Sequence, residues 1–140
     1  MKSFLIIVGI LFLYGYFLLN HNRSIEISVA YVIDGDTFKT QNGHTVRLWG
    51  IDTPERDEAF YQTAKLTLEQ LIDQNIITCA EINKGKYARD VMRCYAGEND
   101  IGAILVKKGL AKDYDSVSKN YYQREELYAQ RNKLGIWKEE

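Results

Sequence analysis

A chain of 140 residues, 46% hydrophobic and 26% charged, with one proline and no low-complexity tract, is one small globular domain with a modest core. Its formal net charge of −1 excludes a global basic field that would recruit nucleic acid, so any polyanion must be held by a local patch.

The first segment differs from the rest. Phe4 to Leu19 (FLIIVGILFLYGYFLL) carries no charge and no polar face, and Lys2 and Arg23 flank it. As a helix it would reach about 24 Å at ~1.5 Å per residue, slightly short of a ~30 Å hydrocarbon core, a gap the flanking cations can close by snorkelling. Lys2 and the amino terminus favour an N-inside orientation, which places the domain outside the cytoplasm. Residues 1–23 therefore read as a signal or membrane anchor and residues 24–140 as the domain. The small-x-small site Ser28-Val29-Ala30 lies inside the first strand, so an uncleaved anchor through residues 4–19 is expected. The alternative is a secreted or periplasmic protein after signal cleavage.

Residues 25–33 (IEISVAYVI) are β-branched and aromatic, as a strand requires. Residues 38–40 and 45–51 flank Asn42-Gly43, a strong hairpin signal, and Pro54 ends that run. Phe60, Ala64, Leu68, Leu71 and Ile72 mark one face of a helix over about 57–74. Residues 76–82 and 91–95 read as two further strands around a basic loop, Asn83 to Lys86. A short helix over 101–108 stops at Gly109. A last helix over about 121–133 starts from Asn120, with Gln123 completing a capping box. Five short strands with three helices indicate an α+β domain, most simply a small barrel with helices packed on it.

Cys79 and Cys94 are equidistant from the Lys86–Tyr87 midpoint of a predicted hairpin. A symmetric register sets them opposite each other as a disulfide, and a one-residue slip leaves two small buried hydrophobes on opposite faces.

The chemistry-bearing residues lie in two short runs. VIDGDT (32–37) ends a strand with Asp34 and Asp36, and GIDTPE (50–55) carries Asp52 and Glu55, with Arg47 five residues before Asp52. Taken singly, Asp-Gly-Asp is a turn and Asp-Thr-Pro-Glu a helix start. Taken together, the Asn42-Gly43 hairpin returns the chain from Asp36 toward Asp52. Three carboxylates and backbone carbonyls at one place describe an oxygen-only site for a hard cation, and the absence of His or Cys nearby in sequence argues against zinc. Arg47 beside such a site suits a phosphorylated substrate.

VIDGDT, RLWGIDTPE, KYAR, KKGLA and the terminal GIW, in that order, resemble the staphylococcal nuclease-like (thermonuclease) family over roughly residues 28–137. The resemblance implies a five-stranded OB-fold barrel with three helices and a calcium-dependent phosphodiesterase that cleaves DNA and RNA with little sequence specificity, single strands preferred, leaving 3′-phosphate ends. Asp36 and Asp52 would be side-chain ligands of Ca2+ and Thr53 a backbone ligand, with Asp34 orienting the site through water. Glu55 would act as general base or water-positioning group, and Arg47 and Arg89 would stabilise charge on the phosphoryl group. Lys86 and Tyr87 match residues that touch a terminal phosphate, and Tyr114 matches a tyrosine against which a base packs. The bland reading of Tyr114, Tyr121, Tyr122 and Tyr128 is helix and barrel packing. A monomer is expected. The competing reading is a non-catalytic OB-fold module that binds single-stranded nucleic acid or a protein partner.

Two positions depart from the family pattern. Ala88 stands where glycine is usual, at a cost of about 1 kcal/mol if φ is positive. Gly102 replaces a usual asparagine, which is expected to remove a buried hydrogen-bonding group and weaken its helix.

Overall fold

The computed structural model describes residues 24–85 and 88–138. The expected N-terminal anchor, and with it Lys86 and Tyr87, lie outside the described residues. Strands β1 (Ile25–Glu26), β2 (Val29–Asp34), β3 (Thr37–Thr40), β4 (Thr45–Leu48) and β5 (Ile51–Asp52) precede helix α1 (Tyr61–Gln74). They are followed by β6 (Ile77–Lys84), β7 (Arg89–Ala96), β8 (Asn99–Asp100), α2 (Ile101–Lys107) and β9 (Lys112–Asp113). Helices α3 (Asp115–Ser118) and α4 (Gln123–Arg131) and a 3-10 turn (Gly135–Trp137) complete the chain. No helix among the described residues is long and apolar enough to cross a membrane.

The main sheet has the order β1-β6-β7-β4-β3-β2, with β8 on β7. The run expected as one strand over 25–33 is split: β1 pairs with β6 at one edge and β2 with β3 at the other. Because β1 and β2 are consecutive in the chain, the sheet must curl until its edges approach. The result is a mixed α+β domain with a curled sheet and several helices.

Inward-facing residues alternate along the strands, as Met92, Cys94 and Ala96 do on β7. Phe38, Val46, Leu48, Ile77 and Cys79 join them, and α1 closes the core with Ala64 and Leu68. Ile101, Leu105 and Val106 of α2 and the ring of Tyr122 complete it. Cys79 pairs with Cys94 in the β6–β7 register, and the two form a disulfide that is wholly buried. The symmetric register holds at the cysteines because the ladder's irregularity falls further along, between Glu81 and Asn83.

Two helix expectations need correction. α1 begins at Tyr61, not near residue 57, because Phe60 adopts φ 68 at its N-cap. A bulky residue in this left-handed region costs roughly 1–2 kcal/mol and ends any helical path from Pro54. The Asp-Thr-Pro-Glu run is therefore a loop before the helix. At the other end, Lys119 and Asn120 have φ 57 and 63, so no capping box forms. The last helix starts at Gln123 after the separate short helix α3, giving four helices rather than three among the described residues.

Gly102 reads differently in the fold than in the sequence. A Cβ there would stand 2.7 Å from the Tyr122 hydroxyl and 2.8 Å from Cζ of its ring. The glycine thus opens the slot into which Tyr122, 1% exposed, inserts from the start of α4. The Tyr122 hydroxyl donates to the Asp100 carboxylate at 3.1 Å, and Asp100 in turn caps α2 through Ala103 N–H and pairs with Arg93 at 2.9 Å. The helix is held by this buried network rather than by a side chain at position 102.

Gly102→Ala is therefore expected to lower stability by about 1 kcal/mol in urea unfolding, since overpacking of ~1–3 kcal/mol outweighs the helix-propensity gain of ~1 kcal/mol. A rise in the urea midpoint would contradict this packing account. Replacing Cys79 and Cys94 with alanine together should cost roughly 2–4 kcal/mol by the same assay, the range expected for a disulfide closing a loop of this length.

Candidate active site

The VIDGDT run is the β2–β3 hairpin, and its turn is Gly35-Asp36. Gly35 is required by close approach: a Cβ there would be 2.8 Å from Ala64 Cβ and 3.1 Å from the Thr53 side chain. Packed against α1 in this way, the turn delivers Asp36 inward, where it is 6% exposed. Asp34 stays at the turn's base and accepts the Asp36 backbone N–H at 3.1 Å. The two neighbouring carboxylates thus have different tasks, one buried at the site and one bracing the turn.

A buried carboxylate needs donors, and Asp36 has four. Oδ1 accepts from Thr37 Oγ1 at 2.9 Å; Oδ2 accepts from Thr53 Oγ1 at 2.8 Å and from Thr53 N–H at 3.3 Å. Arg47 Nη1 lies 3.1 Å from Oδ2. Burial is the larger influence and pushes the Asp36 pKa up to about 6, while Arg47 and the two threonines pull it down.

Arg47 reaches this place by register. It is paired with Thr37 across the β3–β4 hairpin, whose turn has Gly43 at φ 85 as Asn42-Gly43 predicts. Its guanidinium donates to two carbonyls on its own side of the chain, Leu48 through Nη1 and Ile51 through Nη2, both at 2.8 Å. Those bonds fix the plane of the fork, and Nη2 then lies 3.5 Å from Asp52 Oδ1. Asp36 and Asp52 are therefore joined through one arginine.

Asp52 sits on β5 with its side chain 63% exposed, and Thr53 follows it buried. The family resemblance implies only a backbone role for Thr53, whereas its hydroxyl also holds Asp36. Thr37 is not among the residues that the sequence singles out. A signal for both is present, since Asp36 and Asp52 are each followed directly by threonine.

Glu55 is exposed in the loop after Pro54, where its N–H donates to Glu58 Oε2 at 2.7 Å. Arg89 is the first residue of β7, half-buried and paired with Thr45 in the parallel β4–β7 register. Thr45 and Arg47 share a face of β4 by alternation, so Arg89 stands on the face that carries Arg47. The residue before it, Ala88, has φ 55. The residue after it, Asp90, is held by Lys84 at 2.6 Å and His44 at 3.2 Å, with Lys84 the main cause of its lowered pKa. Tyr114 is 48% exposed and its N–H donates to the Gly50 carbonyl at 2.9 Å. Of the four tyrosines, Tyr122 fits the packing reading, Tyr121 lies against Trp49, and Tyr114 and Tyr128 are about half exposed.

The expected meeting of three carboxylates is not found: among the described residues no group of three or more His, Cys, Asp or Glu is placed to hold an ion. The structure offers instead two carboxylates, Asp36 and Asp52, next to the Thr53 backbone. This donor set is all oxygen. It fits a hard divalent cation that completes its coordination with water or substrate oxygens, and it does not fit zinc.

The sequence pattern of the family described as staphylococcal nuclease homologue matches residues 45–139. A protein of Haemophilus influenzae named uncharacterized endonuclease is 35% identical over 115 residues, covering 78% of this chain and 64% of its own length. The chain thus spans slightly less than two thirds of that relative. A micrococcal nuclease of Shigella flexneri is 32% identical over 125 residues, covering 78% of this chain and 71% of the relative. An uncharacterized 38.1 kDa protein of Capnoides sempervirens is 30% identical over 95 residues, but only 28% of that protein is covered. With the pattern beginning at the strand that carries Arg47 and running through Asp52, Glu55 and Arg89, this chain belongs to the family of staphylococcal nuclease homologues.

Proposed function

We propose that the chain is a calcium-dependent nuclease that hydrolyses phosphodiester bonds of DNA and RNA with little sequence specificity, leaves 3′-phosphate ends and acts as a monomer on an OB-fold barrel. The observation that carries this reading is the Arg47 guanidinium shared between buried Asp36 and exposed Asp52. Phosphodiester hydrolysis needs an aligned water, positive charge on a non-bridging oxygen, and donors aimed at charge that develops. Asp36, Asp52 and the Thr53 carbonyl would hold Ca2+, which supplies Lewis-acid polarisation of the phosphoryl oxygen.

The chain's own groups do the rest. The fork of Arg47 is oriented by the Leu48 and Ile51 carbonyls, so its two carboxylate contacts are the ones that phosphate oxygens can replace. Arg89, on the same face of the sheet, adds a second guanidinium. Glu55, exposed in the loop that follows Asp52 and Thr53, accepts the proton of the attacking water or orients it. Lys86, Tyr87 and Tyr114 extend the contact along the substrate, with stacking on tyrosine giving no base preference. Residues 4–19 are proposed to anchor the domain outside the cytoplasm.

Cleavage of single-stranded DNA and RNA by the full chain, in detergent if needed, is expected with calcium and lost with a chelator. Glu55→Gln should lower the single-turnover rate by roughly 10²–10⁴-fold without changing the urea midpoint. A folded protein that binds single strands but never cleaves them would favour the non-catalytic module instead. Ala88→Gly should raise stability by about 0.5–1 kcal/mol, because φ 55 strains alanine and not glycine. An unchanged or lowered midpoint would remove strain at that position from the account.

A further inference from the structure

A cavity of about 510 Å³ opens directly beside Asp52, and the proposed chemistry gives it no role. Pro54, Phe60 and Ile136 supply apolar surface to its lining, and Lys112 and Lys138 supply cations. Three observations make it more than a surface dent.

The first is placement. Lys112 is the register partner of Asp52 in the β5–β9 pair, so one wall of the cavity and the proposed catalytic cluster share two hydrogen-bonded strands. The second is charge. Neither lysine has a carboxylate within ion-pair distance among the described residues, although Lys112 is felt at longer range by Glu126. Lys112 Nζ lies 5.1 Å from the Trp137 ring centroid, and Lys138 Nζ lies 5.5 Å from that of Phe60. The acids of the cavity are engaged elsewhere, Asp52 toward Arg47 and Glu58 on the Glu55 N–H. Among the described residues the two lysines are thus charged groups of the lining that hold no charged partner of opposite sign, while Arg47 draws on the Asp52 carboxylate. The third is strain: Phe60 holds φ 68, a conformation that bulky residues rarely keep unless the surroundings impose it.

We propose that this cavity is a nucleotide subsite of the same enzyme, taking one nucleotide of a single strand next to the scissile phosphate, with its base on Phe60 and its phosphate on Lys112 and Lys138. The proposal rests on the nuclease reading for its catalytic neighbour. An aromatic ring with two cations in one lining matches a base and its phosphate together, and a volume of this size admits one nucleotide.

The test measures anisotropy of a fluorescein-labelled single-stranded decanucleotide with the full chain in chelator, across a salt series. Lys112→Ala and Lys138→Ala should each weaken binding about 5–10-fold and lower the log–log salt slope by about 0.7, as loss of a phosphate contact on a single strand requires. Lys108→Ala, which removes the same charge from the exposed end of α2, should change neither. Phe60→Gly, which also relieves the positive φ, should weaken the intact strand about 10-fold and an abasic strand much less. Wild-type affinity and slope in both lysine variants would overturn the subsite. Cleavage by the wild-type chain with calcium, measured in parallel, separates the two ideas. Lost binding without wild-type cleavage keeps the subsite and ends the nuclease reading, and cleavage with unaltered binding in the variants does the reverse.

Discussion

The Arg47 guanidinium is the contact on which this domain's site is built. It spends one N–H of each terminal nitrogen on a backbone carbonyl and turns the others toward two carboxylates. Asp36 is tolerated in the interior because that charge, two threonine hydroxyls and a backbone N–H surround it. Removing one partner of such a buried pair typically costs about 3–5 kcal/mol, since the remaining charge is left unpaired. Register therefore matters more here than anywhere else in the sheet. A slip of one residue between β3 and β4 would turn Arg47 to the opposite face and put Val46 in its place.

The rest of the fold can be read as support for that register. The Asn42-Gly43 turn sets the β3–β4 pairing, and Gly35 lets the neighbouring turn sit on Ala64 of α1. The parallel pairing of β4 with β7 then brings Arg89 onto the Arg47 face, while Lys84 and His44 hold the adjacent Asp90. The Cys79–Cys94 disulfide and the Tyr122–Asp100–Arg93 network secure β7 and α2. The protein is mildly acidic overall, so the cations gathered near the site gain importance for holding a polyanion.

Much of this architecture is legible in the amino-acid sequence. Strand alternation, the Asn-Gly turn and the apolar stripe of α1 are local signals that the structure bears out, although the run over 45–51 breaks at Trp49-Gly50 into β4 and β5. The two acidic runs are legible as well, because Asp36, Arg47 and Asp52 are linked by a hairpin whose turn is written in the sequence. What escapes is decided by tertiary contact. The strand over 25–33 splits because its halves pair at opposite sheet edges, and no local signal reports that. α1 starts late because Phe60 takes a conformation that its residue type disfavours. Gly102 reads as a lost side chain until Tyr122 is seen occupying the space. Thr37 and the Thr53 hydroxyl show the same limit: their adjacency to aspartate is visible, but their inward direction is not.

The site is organised by a planar fork, and not by positive charge alone. Single-turnover cleavage of single-stranded DNA by Arg47→Lys tests this most directly. Lysine keeps the charge but cannot hold both carbonyls and still span two acceptors. The account predicts a fall of about 10²–10³-fold with calcium binding retained. Cleavage within a few-fold of wild type would contradict it and reduce Arg47 to a counter-ion for Asp36.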